Sequence, residues 1–168
     1  PNGAGKTLTF KTILGFIKPT NGDVIVEGKL IRKEVMFAEN IGFSIQEYGV
    51  LGDKTATENL SLFNILNNQD ETADMNIQQL LSYVGLDPNN KDKVKHYSLG
   101  MKQRLSLAVA LLNDNKILIF DDPTNALDDS GQDFLVAMIN DLKLKGKTIL
   151  ISSHDKPFLN QVSDHIFK

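Results

Sequence analysis

Cysteine is absent from the 168 residues, which excludes a disulfide framework and any thiolate metal site. Histidine is scarce, and His96, His154 and His165 lie too far apart in the sequence to suggest a metal cluster. No apolar run approaches the ~20 residues that a helix needs to cross a bilayer. The longest, Leu105–Leu112 and Ile117–Phe120, fall far short, so any membrane role has to run through a partner. Charge of one sign is also lacking. With 18 Lys and Arg against 21 Asp and Glu the net charge is −3, which gives no strong pull toward nucleic acid or anionic lipid. There is no internal repeat, low-complexity stretch, initiator methionine or signal sequence. What is present is ordinary for a soluble globular domain with a real core: 41% hydrophobic and 23% charged residues.

Along the chain, Ala4–Leu14 reads as a helix with Leu8, Ile13 and Leu14 apolar and Gly15 as its stop. The cluster Pro19-Thr20-Asn21-Gly22 is a turn that leads into one short strand within Asp23–Lys29. Ile41–Ile45 is a second strand, ending at Gln46. From Thr57 the character is helical. Leu60, Phe63 and Leu66 recur at helical spacing, and Ile77, Leu80, Leu81 and Val84 form one amphipathic face ended by Gly85. Leu105, Ala108, Val109 and Leu112 repeat the spacing, as do Phe134, Leu135, Met138, Ile139 and Leu142. Ile117–Phe120 is a continuous apolar run too short for a helix, as expected of a strand buried on both faces, and Thr148–Ile151 is another. Strands alternating with helices predict an α/β fold with a parallel sheet. The helical stretch 54–102 reads as an inserted subdomain within a single domain spanning 1–168.

Gly5-Lys6-Thr7 closes a phosphate-binding loop, whose pattern is Gly, four residues, then Gly-Lys-Ser/Thr. In such a loop the glycines let successive N–H groups face a phosphate, the lysine reaches the β- and γ-phosphates, and the hydroxyl ligates Mg²⁺. The alternative is a Gly-rich turn with a chance lysine. The chain begins inside this motif, which leads us to expect roughly 25–35 further residues upstream carrying the loop's own strand. Asp121 and Asp122 follow the apolar run Ile117–Phe120, at the strand end where α/β sheets bind ligands. Neighbouring side chains on a strand point opposite ways, so one acid can serve a nucleotide's Mg²⁺ while the other faces different chemistry. A polar turn closed by Pro123 is the plainer alternative. Ser98 can cap the helix it opens and leave N–H groups available to an anion, and on this stretch alone a simple capped helix is the favoured alternative.

In this order the motifs resemble those of an ATP-binding cassette (ABC) ATPase, the nucleotide-binding part of ABC transporters. Asn2, Gly3, Ala4, Gly5, Lys6, Thr7 and Leu8 stand where the family's Walker A loop binds ATP, and Gln46 stands at its Q-loop. Ser98, Leu99, Gly100, Met101 and Lys102 resemble the signature motif. Ile117–Asp121 resembles Walker B, Ala126, Leu127 and Asp128 the D-loop, and His154 the switch histidine. The resemblance implies a P-loop NTPase fold with a mixed-sheet core and inserted helical subdomain, N-terminally truncated in this chain. It further implies Thr7, Gln46 and Asp121 as metal ligands, Mg²⁺ with ATP as substrate, and Asp122 and His154 as catalytic residues. The implied partners are a second copy, whose signature acts in trans, and a transmembrane permease. The implied location is the cytoplasmic face of the membrane, and no nucleic acid is expected. The stretch Tyr97–Leu105 is similar to cassettes of bacterial peptide, bacteriocin or multidrug exporters.

Three departures from the family pattern stand out. Asp122 replaces a glutamate that positions water, and withdrawal of the carboxylate by ~1 Å can slow a reaction ~10²-fold. Leu8 replaces a second hydroxyl at the phosphates, and Leu99 with Met101-Lys102 replaces Gly with Gly-Gln. The first two predict slow hydrolysis, not loss of nucleotide binding. A degenerate cassette acting as a regulatory clamp remains open on the same residues. A soluble ABC protein of DNA repair or translation is disfavoured, because no sustained heptads and no second cassette are visible.

Overall fold

A computed structural model of the chain describes residues 5–45, 49–66 and 73–167. Gly5 enters the first helix, α1 (Lys6–Leu14), with φ 83, and Gly15 ends it with φ 87 while donating its N–H to the carbonyls of Lys11 and Thr12. The buried face of α1 is Phe10 and Leu14, whereas Leu8 is exposed, contrary to the apolar face expected from sequence. The single strand expected within 23–29 is instead an antiparallel hairpin of β1 (Ile25–Val26) and β2 (Lys29–Leu30). Its two turn residues, Glu27 (φ 47) and Gly28 (φ 80), are both left-handed, the turn geometry that matches strand twist. A glutamate in that role carries no turn signal in the sequence.

The next strand, β3 (Ile41–Ser44), is followed by α2 (Ala56–Leu66) and α3 (Ala73–Tyr83). The expected apolar face of α2 is corrected: Leu60 is buried but Leu66 is exposed, and the buried positions are Ala56, Asn59, Leu60 and Asn64. Asn59 is inside because its amide clips the chain ahead of the helix. It accepts from Leu51 N at 2.6 Å and donates to Leu51 O and Thr55 O at 3.1 and 2.9 Å. In α3 the expected stripe holds, with Ile77 and Leu81 buried and Val84 buried just beyond the helix.

A helical turn at Val94–His96 precedes α4 (Leu99–Leu111), which Ser98 caps by accepting from Met101 N at 3.1 Å. Beyond the predicted Leu105 and Ala108, Gln103, Leu107 and Ala110 are also buried. The reason is that α4 is enclosed on several sides, packing on β3 and carrying α2 and α3. Then follow β4 (Ile117–Asp121), α5 (Asp129–Leu144), β5 (Thr148–Ser152) and α6 (Lys156–Val162).

Strands β3, β4 and β5 form a parallel sheet in that order, and the hairpin β1–β2 supplies a separate antiparallel ladder. Central β4 is buried on both faces, as its sequence predicts. Ile119 packs with Phe10, Leu14 and Ile45, whereas Leu118 and Phe120 join Leu105, Leu107, Leu135 and Met138 on the other side. The other predicted buried strand, β5, is only half-buried at 149–151, consistent with its pairing to β4 alone among the described strands. The core beneath α2 and α3 is continuous with that of the sheet.

Candidate nucleotide site

At the carboxyl end of β4 the helix that opens the chain meets a strand more than a hundred residues away. The Thr7 hydroxyl donates to Asp121 Oδ2 at 2.6 Å, and Asp121 is only 5% exposed. The other oxygen of this carboxylate accepts from the hydroxyl of Ser152. Both oxygens are thereby held in a place where a free charge would be costly. The contact arises because α1 packs against β4, so its first turn lies over the strand's end.

Asp122 takes a different direction. Its backbone is left-handed, φ 46, and its N–H donates to Ser152 O and to Ser152 Oγ, each at 3.0 Å. Its carboxylate lies 3.1 Å from His154 Nδ1, with the side chains 22% and 56% exposed. The two carboxylates thus face different partners, Thr7 and His154, as expected, but the left-handed turn at Asp122 and not strand alternation directs the second.

A second cluster lies around the N-terminus of α4. Ser98 and Leu99 are exposed, and Leu99 has 72% of its surface free. Gly100 abuts Ala126, whose backbone is left-handed (φ 62), so closely that a Cβ on the glycine would lie 2.9 Å from the Ala126 carbonyl oxygen. Leu127 is buried, and Asp128 caps α5 by accepting from Gly131 N at 2.9 Å. The Gly131 N–H and the Ser130 hydroxyl hold the Asp128 carboxyl below its ordinary pKa. That charged cap therefore stabilises the fold above the ordinary aspartate range and is lost as pH falls through the lowered value.

Of the residues singled out from sequence, Gly5 turns the chain into α1 and Lys6 and Thr7 are the first residues of that helix, and Thr7, Asp121, Asp122 and His154 are tied to one strand end. Ser98–Lys102 and Ala126–Asp128 gather separately through Gly100 and Ala126. Asn2, Gly3, Ala4 and Gln46 lie outside the described residues. Sequence reading missed Ser152, because its place beside Asp121 is set by the register between β4 and β5. It also missed Arg104, which donates to Val84 O at 2.8 Å and lies 5.2 Å over the Phe134 ring, joining α3, α4 and α5. Among the described residues no three His, Cys, Asp or Glu side chains converge as a metal-binding group, and no helix is long and apolar enough to cross a membrane.

A family model described as ABC transporter matches residues 1–125. The chain belongs to the ABC transporter family. It is similar to the lantibiotic transport ATP-binding protein SrtF of Streptococcus pyogenes, 37% identical over 166 residues that make up 99% of this chain and 70% of the relative. An uncharacterized ABC transporter ATP-binding protein of Bacillus subtilis, YybJ, is 35% identical over 97% of this chain and 74% of its own length. The bacitracin transport ATP-binding protein BcrA of Bacillus licheniformis is 39% identical, covering 98% of this chain and 54% of the relative. In structure the chain is similar to the ATP-binding cassette MJ0796, a dimer in a post-hydrolysis state bound to ADP and Pi. There the TM-score is 0.84 at 25% identity, over 96% of this chain and 75% of that one. The α/β architecture is therefore that of an ABC ATP-binding subunit, and ABC cassettes are ATPases that generally use Mg²⁺ with ATP.

Proposed function

We propose that this ABC subunit binds Mg²⁺-ATP between α1 and the end of β4, hydrolyses it slowly, and thereby powers export of a peptide, bacteriocin or drug through a separate membrane permease. The carrying observation is the 2.6 Å contact of Thr7 with Asp121, which puts a phosphate-loop hydroxyl on a buried carboxylate. One carboxylate and one hydroxyl suit magnesium, which takes few protein ligands and keeps water and phosphate oxygens for the rest. Thr7, Asp121 and Gln46 would hold it, and it supplies neutralisation of phosphate charge. Lys6 pairs with the β- and γ-phosphates, His154 contacts the γ-phosphate, and Asp122, already against His154, orients the attacking water. The names of SrtF and BcrA support a peptide-antibiotic cargo. A permease partner and a place at the cytoplasmic face of the membrane belong to the same reading, as what a transport ATP-binding subunit requires. Residues 54–102 act in this reading as the helical subdomain that carries Ser98–Lys102.

Turnover by variants at Asp122 tests the reaction. Asp122→Asn is expected to remove most single-turnover hydrolysis while sparing ATP affinity. On reach alone Asp122→Glu would quicken the reaction. The left-handed backbone at 122 and the existing contact with His154 favour the shorter acid, so we expect Glu to turn over no faster. Equal rates for wild type and Asp122→Asn would remove Asp122 from the mechanism, and ATP binding with no hydrolysis in any form would favour a regulatory clamp.

Association tests the partner copy. The dimeric cassette to which this chain is similar supports a head-to-tail pair in which Ser98 of one copy closes on the phosphates of the other. Light scattering in Mg²⁺-ATP under non-hydrolysing conditions is expected to show dimers of wild type. Ser98→Arg should remain monomeric with ATP affinity intact, apart from about 1 kcal/mol of stability lost with the helix cap. Dimerisation of Ser98→Arg like wild type would show that the signature does not act in trans.

A further inference from the structure

One side chain touches both acids of the nucleotide site, and no motif accounts for it. Ser152 ends β5 and is 4% exposed. In the parallel register its partner is Asp121, so the two side chains stand on the same face of the sheet. The Ser152 hydroxyl donates to Asp121 Oδ1, which leaves Oδ2 for Thr7. The same hydroxyl oxygen accepts from Asp122 N at 3.0 Å, beside the bond from that N–H to Ser152 O at 3.0 Å. A hydroxyl has one proton to give and lone pairs to receive. With the proton committed to Asp121 and a lone pair to Asp122, its orientation is fixed. The backbone it supports needs such support, because a non-glycine residue at φ 46 persists only where its surroundings hold it.

We propose that Ser152 is a positioning residue for both acids. Its hydroxyl sets the rotation of the Asp121 carboxylate toward Thr7, and it holds the turn at Asp122 so that the second carboxylate faces His154. The proposal rests on the reading that Asp121 serves the metal and Asp122 the water. A serine that merely fills space between β4 and β5 would not tie the two acids together, and the two cases differ in measurable ways.

The test compares Ser152→Ala and Ser152→Thr in the complete ATP-binding subunit. Without nucleotide, the Asp122 amide of Ser152→Ala should exchange with solvent about tenfold faster, as expected for one lost hydrogen bond, while amides of Ile119 and Leu150 keep wild-type rates. Titration calorimetry should show affinity for Mg²⁺-ATP weakened about tenfold, with affinity for ATP in excess chelator unchanged. The single-turnover rate should fall with it, and Ser152→Thr, which keeps the hydroxyl, should restore all three. Should Ser152→Ala not fold, Ser152→Cys keeps the size with a weak donor and should show the same selective loss. Wild-type exchange and magnesium dependence in Ser152→Ala would overturn the proposal. So would equal impairment in Ser152→Thr, or a uniform rise in exchange across β4 and β5. If wild type itself hydrolyses no ATP, the proposed reaction fails, and the nucleotide-free exchange still decides the role of Ser152.

Discussion

Gly42→Ala should lower the melting temperature by about 10 °C, a loss of about 3 kcal/mol in a domain of this size. A methyl group there would lie 1.9 Å from the carbonyl oxygen of Ala110 and 2.8 Å from Leu118 Cδ2. The first obstacle is helix backbone, which has no rotamer to change, so α4 would have to lift off β3. Packing changes that force backbone shifts typically cost 1–3 kcal/mol, and a direct backbone clash belongs at the upper end of that range. Gly52→Ala is the control. The nearest atom to a methyl there is Lys95 Cβ at 3.5 Å, an ordinary contact, so its melting temperature should stay within about 2 °C of wild type. Thermal melts followed by circular dichroism check both, and a Gly42→Ala variant as stable as Gly52→Ala would mean that α4 does not rest on the strand.

Lys6→Ala should weaken ATP binding at least about 100-fold, since losing one member of a buried, hydrogen-bonded charge pair costs roughly 2–5 kcal/mol. Gly5, left-handed and immediately before the helix, turns the chain so that Lys6 opens α1 beside Thr7. The fold should be retained, because the buried face of α1 is Phe10 and Leu14. Lys18→Ala, at an exposed position beyond α1, removes the same charge without touching the loop and should bind ATP as wild type does. Titration calorimetry with circular dichroism separates lost affinity from lost structure. Wild-type affinity in Lys6→Ala would place the phosphates elsewhere.

Much of the scaffold is legible in the residues because its signals are local. The run 117–120 had to be a buried strand, the spacing of Ile77, Leu81 and Val84 had to be a helix face, and Gly15 ends α1 as such glycines do. What escaped depends on distant partners. Asn59 is buried only because Leu51 offers both an N–H and a carbonyl to its amide. The hairpin at 25–30 relies on Glu27 adopting φ 47, which its side chain does not advertise. Within the site, the pairing of Thr7 with Asp121 follows from motif order, whereas the bond from Ser152 depends on the register between β4 and β5, which composition does not reveal.

The seat of α4 on Gly42 makes this helix a lever with a fixed fulcrum. At 1.5 Å per residue, Ser98 lies about 18 Å along the axis from Ala110, so a tilt of about 10° about that point would swing it by about 3 Å. Ser106, about 6 Å from the fulcrum, would move by only about 1 Å. That is still enough to part the 2.7 Å contact between Ser106 Oγ and Ser44 Oγ. Any tilt that carried Ser98 through such a distance would therefore be coupled to the loss of this serine pair.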